Sequence, residues 1–338
     1  MNILMLSNTF TPHVGGVARS VETFTAEYRR RGHRVLIVAP EFPDMPQQET
    51  DVVRISAIQN FNASDFSVAL PIHPQLGDAV DAFGPDVVHA HHPFLLGITA
   101  LRLARHRGLP LVFTHHTLYE QYTHYLPGDS PVLKRFAIEL ATRYANLTDR
   151  VFAPSESIRE LLRERGVTTP IAVVPTGVCL ERFAQGDGPG FRRLTGIPET
   201  ACVVGHLGRL APEKNLEFLA EAVADFMRGN SGAHFLVIGS GPSEAAIREL
   251  LARSGVVERL HIAGILQQQQ LADALHAMDV FAFASTSETQ GMVLTEAMAA
   301  GLPVVALDAP GAREVVRDMH NGRLLTQATP AAFGAVSP

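Results

Sequence analysis

Short apolar runs alternate with longer amphipathic segments along the first half of the chain. The segment 17–31 has helical spacing and separates the first two of these runs. Strands that alternate with helices form a parallel sheet with helices on both faces, so the pattern predicts a doubly wound α/β domain. Its predicted strands cover residues 3–7, 35–39, 52–55, 87–89, 111–114, 151–153 and 171–174.

The same alternation starts again near residue 202. Between the two series, residues 179–199 are rich in glycine and polar side chains, which favours a linker. The sequence therefore predicts two Rossmann-like domains, at 1–178 and 179–338, that face each other across a cleft. The second series has predicted strands at 202–207, 233–238, 260–263, 280–284 and 303–306, and predicted helices at 215–228, 243–254, 270–277 and 291–300.

Length and composition agree with two globular domains and exclude some partners. A chain of 338 residues exceeds one ordinary domain, and its 46% of hydrophobic residues is enough for two buried cores. The net charge of −6 provides no basic field for a phosphate backbone, so nucleic acid is not expected as a partner. Two cysteines and an N-terminus without a basic leader favour the cytoplasm.

No apolar run approaches the roughly 20 residues of a transmembrane helix, so any membrane contact is expected to be peripheral. Residues 131–146 mix apolar and basic side chains. Such a segment suits a helix that lies on the inner face of a membrane. An ordinary surface helix has the same composition and is the favoured interpretation.

A glycine pair follows the first predicted strand. Gly15 and Gly16 lie just before the first predicted helix. Without side chains, the backbone N–H groups there can approach a diphosphate at the helix N-terminus. A purely structural tight turn needs the same residues, so both interpretations stay open.

Two cations follow the strand predicted at 202–207. Gly208, Arg209 and Lys214 lie at the carboxyl edge, where open α/β sheets bind ligands. Arginine presents a planar fork and lysine a point charge, and both stabilise the negative charge of a departing nucleoside diphosphate. Solvated surface cations are the alternative.

Two carboxylates follow the strand predicted at 280–284. Glu288 lies in a polar loop and Glu296 on the next helix. On one helix they would point about 80° apart, so they suit different parts of an elongated ligand. Carboxylates accept hydrogen bonds from vicinal hydroxyls, which a nucleotide sugar carries on its hexose and its ribose. Capping and surface glutamates are the alternative.

The segment after the strand at 111–114 is rich in histidine and tyrosine. A histidine there can bind a donor sugar, and tyrosines can form a wall for a sugar or an acyl chain, although core packing explains the tyrosines equally well. The histidine spacing matches no standard ligand pattern, so no metal site is predicted. The candidates are His116, Tyr119, Tyr122, His124 and Tyr125.

Taken in order, these features resemble glycosyltransferase family 4, the retaining enzymes of the GT-B fold. The resemblance covers nearly the whole chain. The segments THHTLYEQYTHY and SETQGMVLTEAM are most similar to the branch that glycosylates diacylglycerol and related lipids. The motifs are Gly15-Gly16, DVVHAHHP at 86–93, THHT at 114–117, VPTGV at 174–178, GRLAPEKN at 208–215, and the pair Glu288 and Glu296.

The resemblance implies a role for each candidate. His116 contacts the donor hexose, Arg209 and Lys214 bind the diphosphate, Glu288 binds hexose hydroxyls and Glu296 binds the ribose. Glucose passes from UDP-glucose to an acceptor hydroxyl, on a lipid or a saccharide, and the leaving phosphate takes the proton. The nucleotide sugar is a substrate, and no cofactor or essential metal is expected. Further donor contacts are implied for Gly15, Gly16, Gly208, Gly291, Met292 and Val293.

Several alternatives remain beside this interpretation. A dehydrogenase is disfavoured, because the segment 239–242 (GSGP) lacks the third glycine of a dinucleotide fingerprint. A nucleotide-sugar epimerase of the same layout and a mannosyltransferase that uses a GDP-sugar stay open. The tail after residue 325 has poor helix chemistry where family members have further helices, so a weakened enzyme that only binds nucleotide sugar is a third alternative.

Overall fold

The computed structural model describes residues 1–59, 67–70, 76–123, 130–326 and 329–330. The chain divides into two compact units, Met1–Gly177 and Val178–Pro338. These limits differ by one residue from the expected 1–178 and 179–338.

The first unit is built on a seven-stranded parallel sheet. The described strands of the whole unit are β1 (Asn2–Leu6), β2 (Arg34–Pro40), β3 (Val52–Ile55), β4 (Ala57–Ile58), β5 (Val68–Ala69), β6 (Val87–Ala90), β7 (Leu111–Thr114), β8 (Arg150–Ala153) and β9 (Ile171–Val173). Strands β4 and β5 form a separate antiparallel pair, and the others follow the order β3-β2-β1-β6-β7-β8-β9. The helices are α1 (Gly16–Arg30), α2 (Leu76–Phe83), α3 (Leu96–Arg107), α4 (Pro131–Ala145) and α5 (Glu156–Glu164).

The second unit repeats this architecture with six parallel strands in the order β12-β11-β10-β13-β14-β15. Its strands are β10 (Cys202–Leu207), β11 (Ala233–Ile238), β12 (Leu260–Ile262), β13 (Val280–Phe283), β14 (Val304–Leu307) and β15 (Arg323–Leu325). Its helices are α6 (Leu180–Phe183), α7 (Gly188–Thr195), α8 (Leu216–Gly229), α9 (Glu244–Arg253), α10 (Gln268–His276) and α11 (Met292–Ala299).

Both faces of each sheet are buried, which explains the continuous apolar runs in the sequence. Along β1, Leu4 packs into the core on one face of the sheet and Met5 into the core on the other, because successive side chains of a strand point to opposite faces. Val204 and Val203 on β10 do the same in the second unit. The predicted fold class, two Rossmann-like α/β domains, is confirmed.

The linker prediction for residues 179–199 is wrong. This segment forms α6 and α7, and its Phe183 and Phe191 are buried in the core of the second unit. The turn-forming residues lie at the ends of α7: Asp187 caps its N-terminus by accepting from the N–H of Gly190, and Gly196 ends it in a left-handed conformation. The prediction failed because it counted glycines and polar residues as signs of a loop, whereas Asp187 and Gly196 mark the two ends of a helix.

None of the helices in the described residues is long and apolar enough to cross a membrane.

Candidate functional site

The predicted cation and carboxylate segments meet at the carboxyl ends of two neighbouring strands. Strands β10 and β13 pair in parallel at the centre of the second sheet, and the strand order reverses between them. Ligands of open α/β sheets bind outside such a reversal point. The loop after β10 carries Arg209 and Lys214, and the loop after β13 carries Glu288.

Lys214 and Glu288 form a shielded ion pair. The Nζ of Lys214 lies 2.6 Å from Oε1 of Glu288, and only 15% and 19% of the two side chains are exposed. Ser285 Oγ donates to the same carboxylate oxygen at 2.9 Å. Burial acts to raise the pKa of Glu288, but the ammonium of Lys214 and these hydrogen bonds outweigh it and keep the pKa below its usual value. The carboxylate is therefore ionised and ready to accept hydroxyl hydrogen bonds.

Two further hydrogen bonds tie the loops together. Ser287 Oγ donates to the carbonyl of Glu213 at 2.9 Å, and Asn215 Nδ2 donates to the carbonyl of Ala284 at 3.2 Å. Asn215 adopts a left-handed conformation (φ 55°) between the short 3-10 helix Pro212–Lys214 and α8. Asparagine tolerates this conformation better than most residues. The residues on both sides of Lys214 are thus bonded to the segment that follows β13, which holds the two loops side by side.

Helix α11 begins beside the ion pair. Gly291 precedes it in a left-handed conformation (φ 70°), and a Cβ there would lie 3.0 Å from the carbonyl oxygen of Gly311. The first N–H groups of a helix have no intrahelical acceptor, so those of Met292 and Val293 can point at an anion. Glu296 lies farther along α11 and is buried, with 5% of the residue exposed.

Two glycines of the segment 239–242 pack against the loop after β10. A Cβ on Gly239 would lie 1.9 Å from the carbonyl oxygen of Gly208, and a Cβ on Gly241 would lie 2.3 Å from that of Leu210. These glycines allow close backbone packing under the loop. Arg209 in the same loop is exposed.

In the first unit, the glycine pair lies at the N-terminus of α1. Gly15 has an extended backbone (φ −172°), and neither Gly15 nor Gly16 has positive φ. A Cβ on Gly16 would meet nothing within 4 Å in the described residues. Among the described residues, neither turn geometry nor packing requires glycine at position 16, whereas a Cβ on Gly15 would lie 3.2 Å from Nε2 of His13. The contact of this pair with a diphosphate stays a prediction.

The histidines of the first unit form a neutral cluster around His116. His116 is half-buried, and its Nε2 lies 2.8 Å from Nδ1 of the fully buried His91. His89 Nε2 in turn lies 2.7 Å from the hydroxyl of Thr114. Burial lowers the pKa of His89 to about 3 and holds the pKa values of His91 and His116 well below their usual value. Neutral imidazoles suit hydrogen bonding to a sugar without adding charge.

No group of three or more histidine, cysteine, aspartate or glutamate residues in the described parts of the chain has the geometry to hold a metal ion.

The structure separates the tyrosine candidates. Tyr119 starts the short 3-10 helix Tyr119–Gln121, and its ring packs edge-on against Phe94 and His115 at 5.3 and 5.7 Å. Burial raises the pKa of Tyr119. Its ring is thus packed against aromatic neighbours, and its acceptor-side role stays a prediction. Tyr122 is half-buried after the 3-10 helix, and His124 and Tyr125 lie outside the described residues.

Two doubly wound domains, one of them with a cation and carboxylate pair at the reversal point of its sheet, are typical of GT-B glycosyltransferases. Residues 14–182 match the model described as Glycosyltransferase Family 4, and residues 201–336 match that described as Glycosyl transferases group 1. The chain belongs to glycosyltransferase family 4. It is a hexosyltransferase, which confirms the predicted family and enzyme class and sets the dehydrogenase and epimerase interpretations aside.

The chain is similar to curated enzymes over nearly its whole length. It is 29% identical to an alpha-monoglucosyldiacylglycerol synthase of Streptococcus pneumoniae, over 96% of this chain and 75% of that protein. It is 31% identical to a GDP-mannose-dependent alpha-mannosyltransferase of Mycobacterium tuberculosis, over 96% and 84%. In fold it matches the crystal structure of Anabaena HepE in complex with UDP-glucose, with a TM-score of 0.77, 23% identity and coverage of 99% and 88%.

Proposed function

We propose that the protein transfers glucose from UDP-glucose, with retention at the anomeric carbon, to a hydroxyl of a membrane glycerolipid. The observation that carries this proposal is the shielded pair of Lys214 and Glu288 at the carboxyl ends of β10 and β13. The pneumococcal relative, named for the synthesis of a glucosyl lipid, supports the lipid acceptor.

In this proposal the second unit binds the donor. Arg209 and Lys214 neutralise the diphosphate as negative charge grows on it, together with the first N–H groups of α11. Lys214 and Ser285 both donate to Oε1 of Glu288, so Oε2 can accept a hexose hydroxyl. Glu296 is the proposed partner of the ribose. The charge is stabilised by the chain's own cations, and we expect transfer without a divalent metal.

The first unit supplies the remaining contacts. Gly15 and Gly16 let the N-terminus of α1 approach the diphosphate, and His116 donates to or accepts from the hexose. No protein nucleophile is needed, since the acceptor hydroxyl attacks from the face that the nucleotide leaves and the leaving phosphate takes its proton.

Helix α4 supports contact with a membrane surface. Its Val132 and Phe136 are 68% and 59% exposed, and Lys134 and Arg135 between them are exposed as well. A helix with exposed apolar and basic side chains binds anionic lipid through both. In this proposal the reaction takes place at the inner face of a membrane, where a lipid acceptor is presented.

A calorimetric titration with UDP, GDP, UDP-glucose and GDP-mannose tests the donor. Saturable binding of UDP and UDP-glucose, weakened by Glu296→Ala, is expected. Glucose transfer from UDP-glucose to diacylglycerol in vesicles with anionic lipid then tests the acceptor. Absence of nucleotide binding by folded protein would contradict the proposal.

The second candidate is a GDP-mannose-dependent mannosyltransferase, which the 31% identical mycobacterial relative favours. Binding of GDP and GDP-mannose in place of the uridine compounds would select it.

A further inference from the structure

His206 is a buried histidine of the second unit for which the sequence suggested no role. It lies near the carboxyl end of β10 and is 1% exposed. Its Nδ1 lies 3.2 Å from the carbonyl oxygen of Ala282 on the neighbouring β13. Because a carbonyl oxygen can only accept, Nδ1 carries the proton. In the neutral ring, Nε2 is therefore an acceptor.

This acceptor is buried next to the predicted diphosphate site. Among the described residues, Nε2 of His206 has no hydrogen-bond partner. A Cβ on Gly208 would lie 3.4 Å from it, so Nε2 lies directly under the loop that carries Arg209 and Lys214. A buried polar atom without a partner destabilises the folded state, and such atoms in native proteins call for an explanation.

The surroundings keep the ring neutral. Burial lowers the pKa of His206 to about 4, the ammonium of Lys214 lowers it further, and the Ala282 hydrogen bond and the Glu288 carboxylate oppose them. Both members of the ion pair thus act on this imidazole. A neutral hydrogen-bond acceptor thus lies within electrostatic range of the Lys214 ammonium, which is a hydrogen-bond donor.

We propose that His206 is a positioning residue for Lys214: its Nε2 accepts a hydrogen bond from the Lys214 ammonium when a nucleoside diphosphate is bound. The inference rests on the proposed role of Lys214 in binding the donor. A lysine ammonium has three donors on a flexible stem. Glu288 accepts one at 2.6 Å. A diphosphate takes the second, and His206 takes the third, which fixes Nζ between the carboxylate and the phosphate.

The binding of UDP and GDP, measured by calorimetry, tests this arrangement. His206→Phe keeps a planar ring and removes the acceptor, whereas His206→Gln keeps an acceptor. We expect His206→Phe to weaken binding of the preferred nucleotide about 10-fold, the equivalent of one hydrogen bond, and His206→Gln to restore most of it. The control is His261→Phe on the edge strand β12, which β11 separates from β10, and whose ring pairs with that of His234. It should bind as the wild type does.

A double-mutant cycle separates positioning from packing. If His206 acts through Lys214, His206→Phe should weaken binding less than about 2-fold in a Lys214→Ala background. An equal loss in both backgrounds, or no loss in His206→Phe alone, would overturn the inference and leave the proposed function intact. Unchanged binding in Lys214→Ala would overturn the donor site and the inference together. Circular dichroism and thermal unfolding establish that each variant is folded.

Discussion

Glu288 is held against Lys214 on one side and against the backbone of Gly311 on the other. The Lys214 ammonium lies 2.6 Å from its carboxylate, and a Cβ on Gly311 would lie only 2.6 Å from its own Cβ. The side chain of Glu288 is thus held at its carboxylate by Lys214 and packed closely at its Cβ against Gly311. Such preorganisation is what a site needs if charge stabilisation is its main contribution to the reaction.

Breaking the ion pair between Lys214 and Glu288 should lower the catalytic efficiency strongly while the protein stays folded. We expect Lys214→Ala to lower kcat/KM about 100- to 1000-fold, the range for loss of one group that stabilises developing charge. Arg248→Ala is the matched control, because Arg248 forms an exposed pair with Glu244 at 2.9 Å on α9 and exposed pairs contribute little. Steady-state kinetics with the preferred donor measure the difference. Equal activity of the two variants would contradict the site.

The second unit's ion pair also has a defined pH dependence. The pKa of Glu288 is lower in the folded protein than its usual value of 4.5. The stabilisation from the pair is therefore present above pH 4.5 and is lost as the pH falls through the lower folded value. Lys214→Ala should consequently lose less stability than the wild type on acidification.

The order of these site segments could be predicted from the sequence, but their contacts could not. Lys214 and Glu288 are 74 residues apart, and they meet because β13 pairs with β10 while β11 and β12 lie on the other side of β10. No local pattern marks Ser285 or Gly311 as partners of Glu288. A glycine gives no signal of what it packs against, and a serine after a strand has many uses.

The fold could be predicted more fully than the site, because strands that are buried on both faces of a sheet appear in the sequence as continuous apolar runs. Strands β4 and β5 were not predicted, since two residues per strand give too short a pattern, and β15 was missed because its three residues (RLL) include only two apolar positions. His206 shows a further limit, because even within a predicted strand the sequence does not give the surroundings of a side chain. A histidine in an apolar run is identified as buried, but the direction of its Nε2 depends on the carbonyl of a strand far away in sequence.

Gly311→Ala should disturb the site by displacing Glu288. The substitution has two effects, strain at a φ of +81° and a clash with Cβ of Glu288 at 2.6 Å. Gly301→Ala is a control for the first effect alone, because Gly301 has a φ of +80° and an added Cβ would meet no atom within 4 Å in the part of the chain that the structure describes. Both variants should lose about 1 kcal/mol of stability from backbone strain. Only Gly311→Ala should lose activity, which thermal unfolding and kinetics together can measure.

The buried histidines predict a loss of stability in acid. Burial lowers the pKa values of His89, His92 and His115 to about 3, whereas unfolded histidines titrate near 6.5. Between these values the unfolded state binds more protons, so the free energy of unfolding falls as the pH falls. Replacing His115 with phenylalanine removes one such group, together with two buried ring nitrogens that have no partner among the described residues.

His115→Phe should therefore gain stability relative to the wild type by about 2 kcal/mol between pH 7 and pH 5. Urea unfolding monitored by circular dichroism at the two pH values measures this. An identical pH dependence of the two proteins would contradict this prediction, because it would show that the His115 imidazole titrates in the folded state as it does in the unfolded state.

Gly16→Ala should make the protein more stable and less able to bind its donor. Gly16 is the first residue of α1 and has no positive φ, and no atom of the described residues lies within 4 Å of the place where a Cβ would stand. Alanine in a helix is favoured over glycine by up to about 1 kcal/mol, so the free energy of unfolding should rise by less than about 1 kcal/mol. The added methyl group, however, would occupy the space through which a diphosphate reaches the backbone N–H groups.

Gly77→Ala provides the comparison, since Gly77 lies in the first turn of α2 and an added Cβ there also meets no atom of the described residues within 4 Å. Both variants should unfold at equal or higher temperature than the wild type. Binding of the nucleotide sugar should weaken about 10-fold or more in Gly16→Ala only, which corresponds to about 1.4 kcal/mol of lost contact with the diphosphate. If Gly16→Ala binds the donor as well as Gly77→Ala does, the N-terminus of α1 takes no part in holding the diphosphate, and the glycine at position 16 has no functional reason.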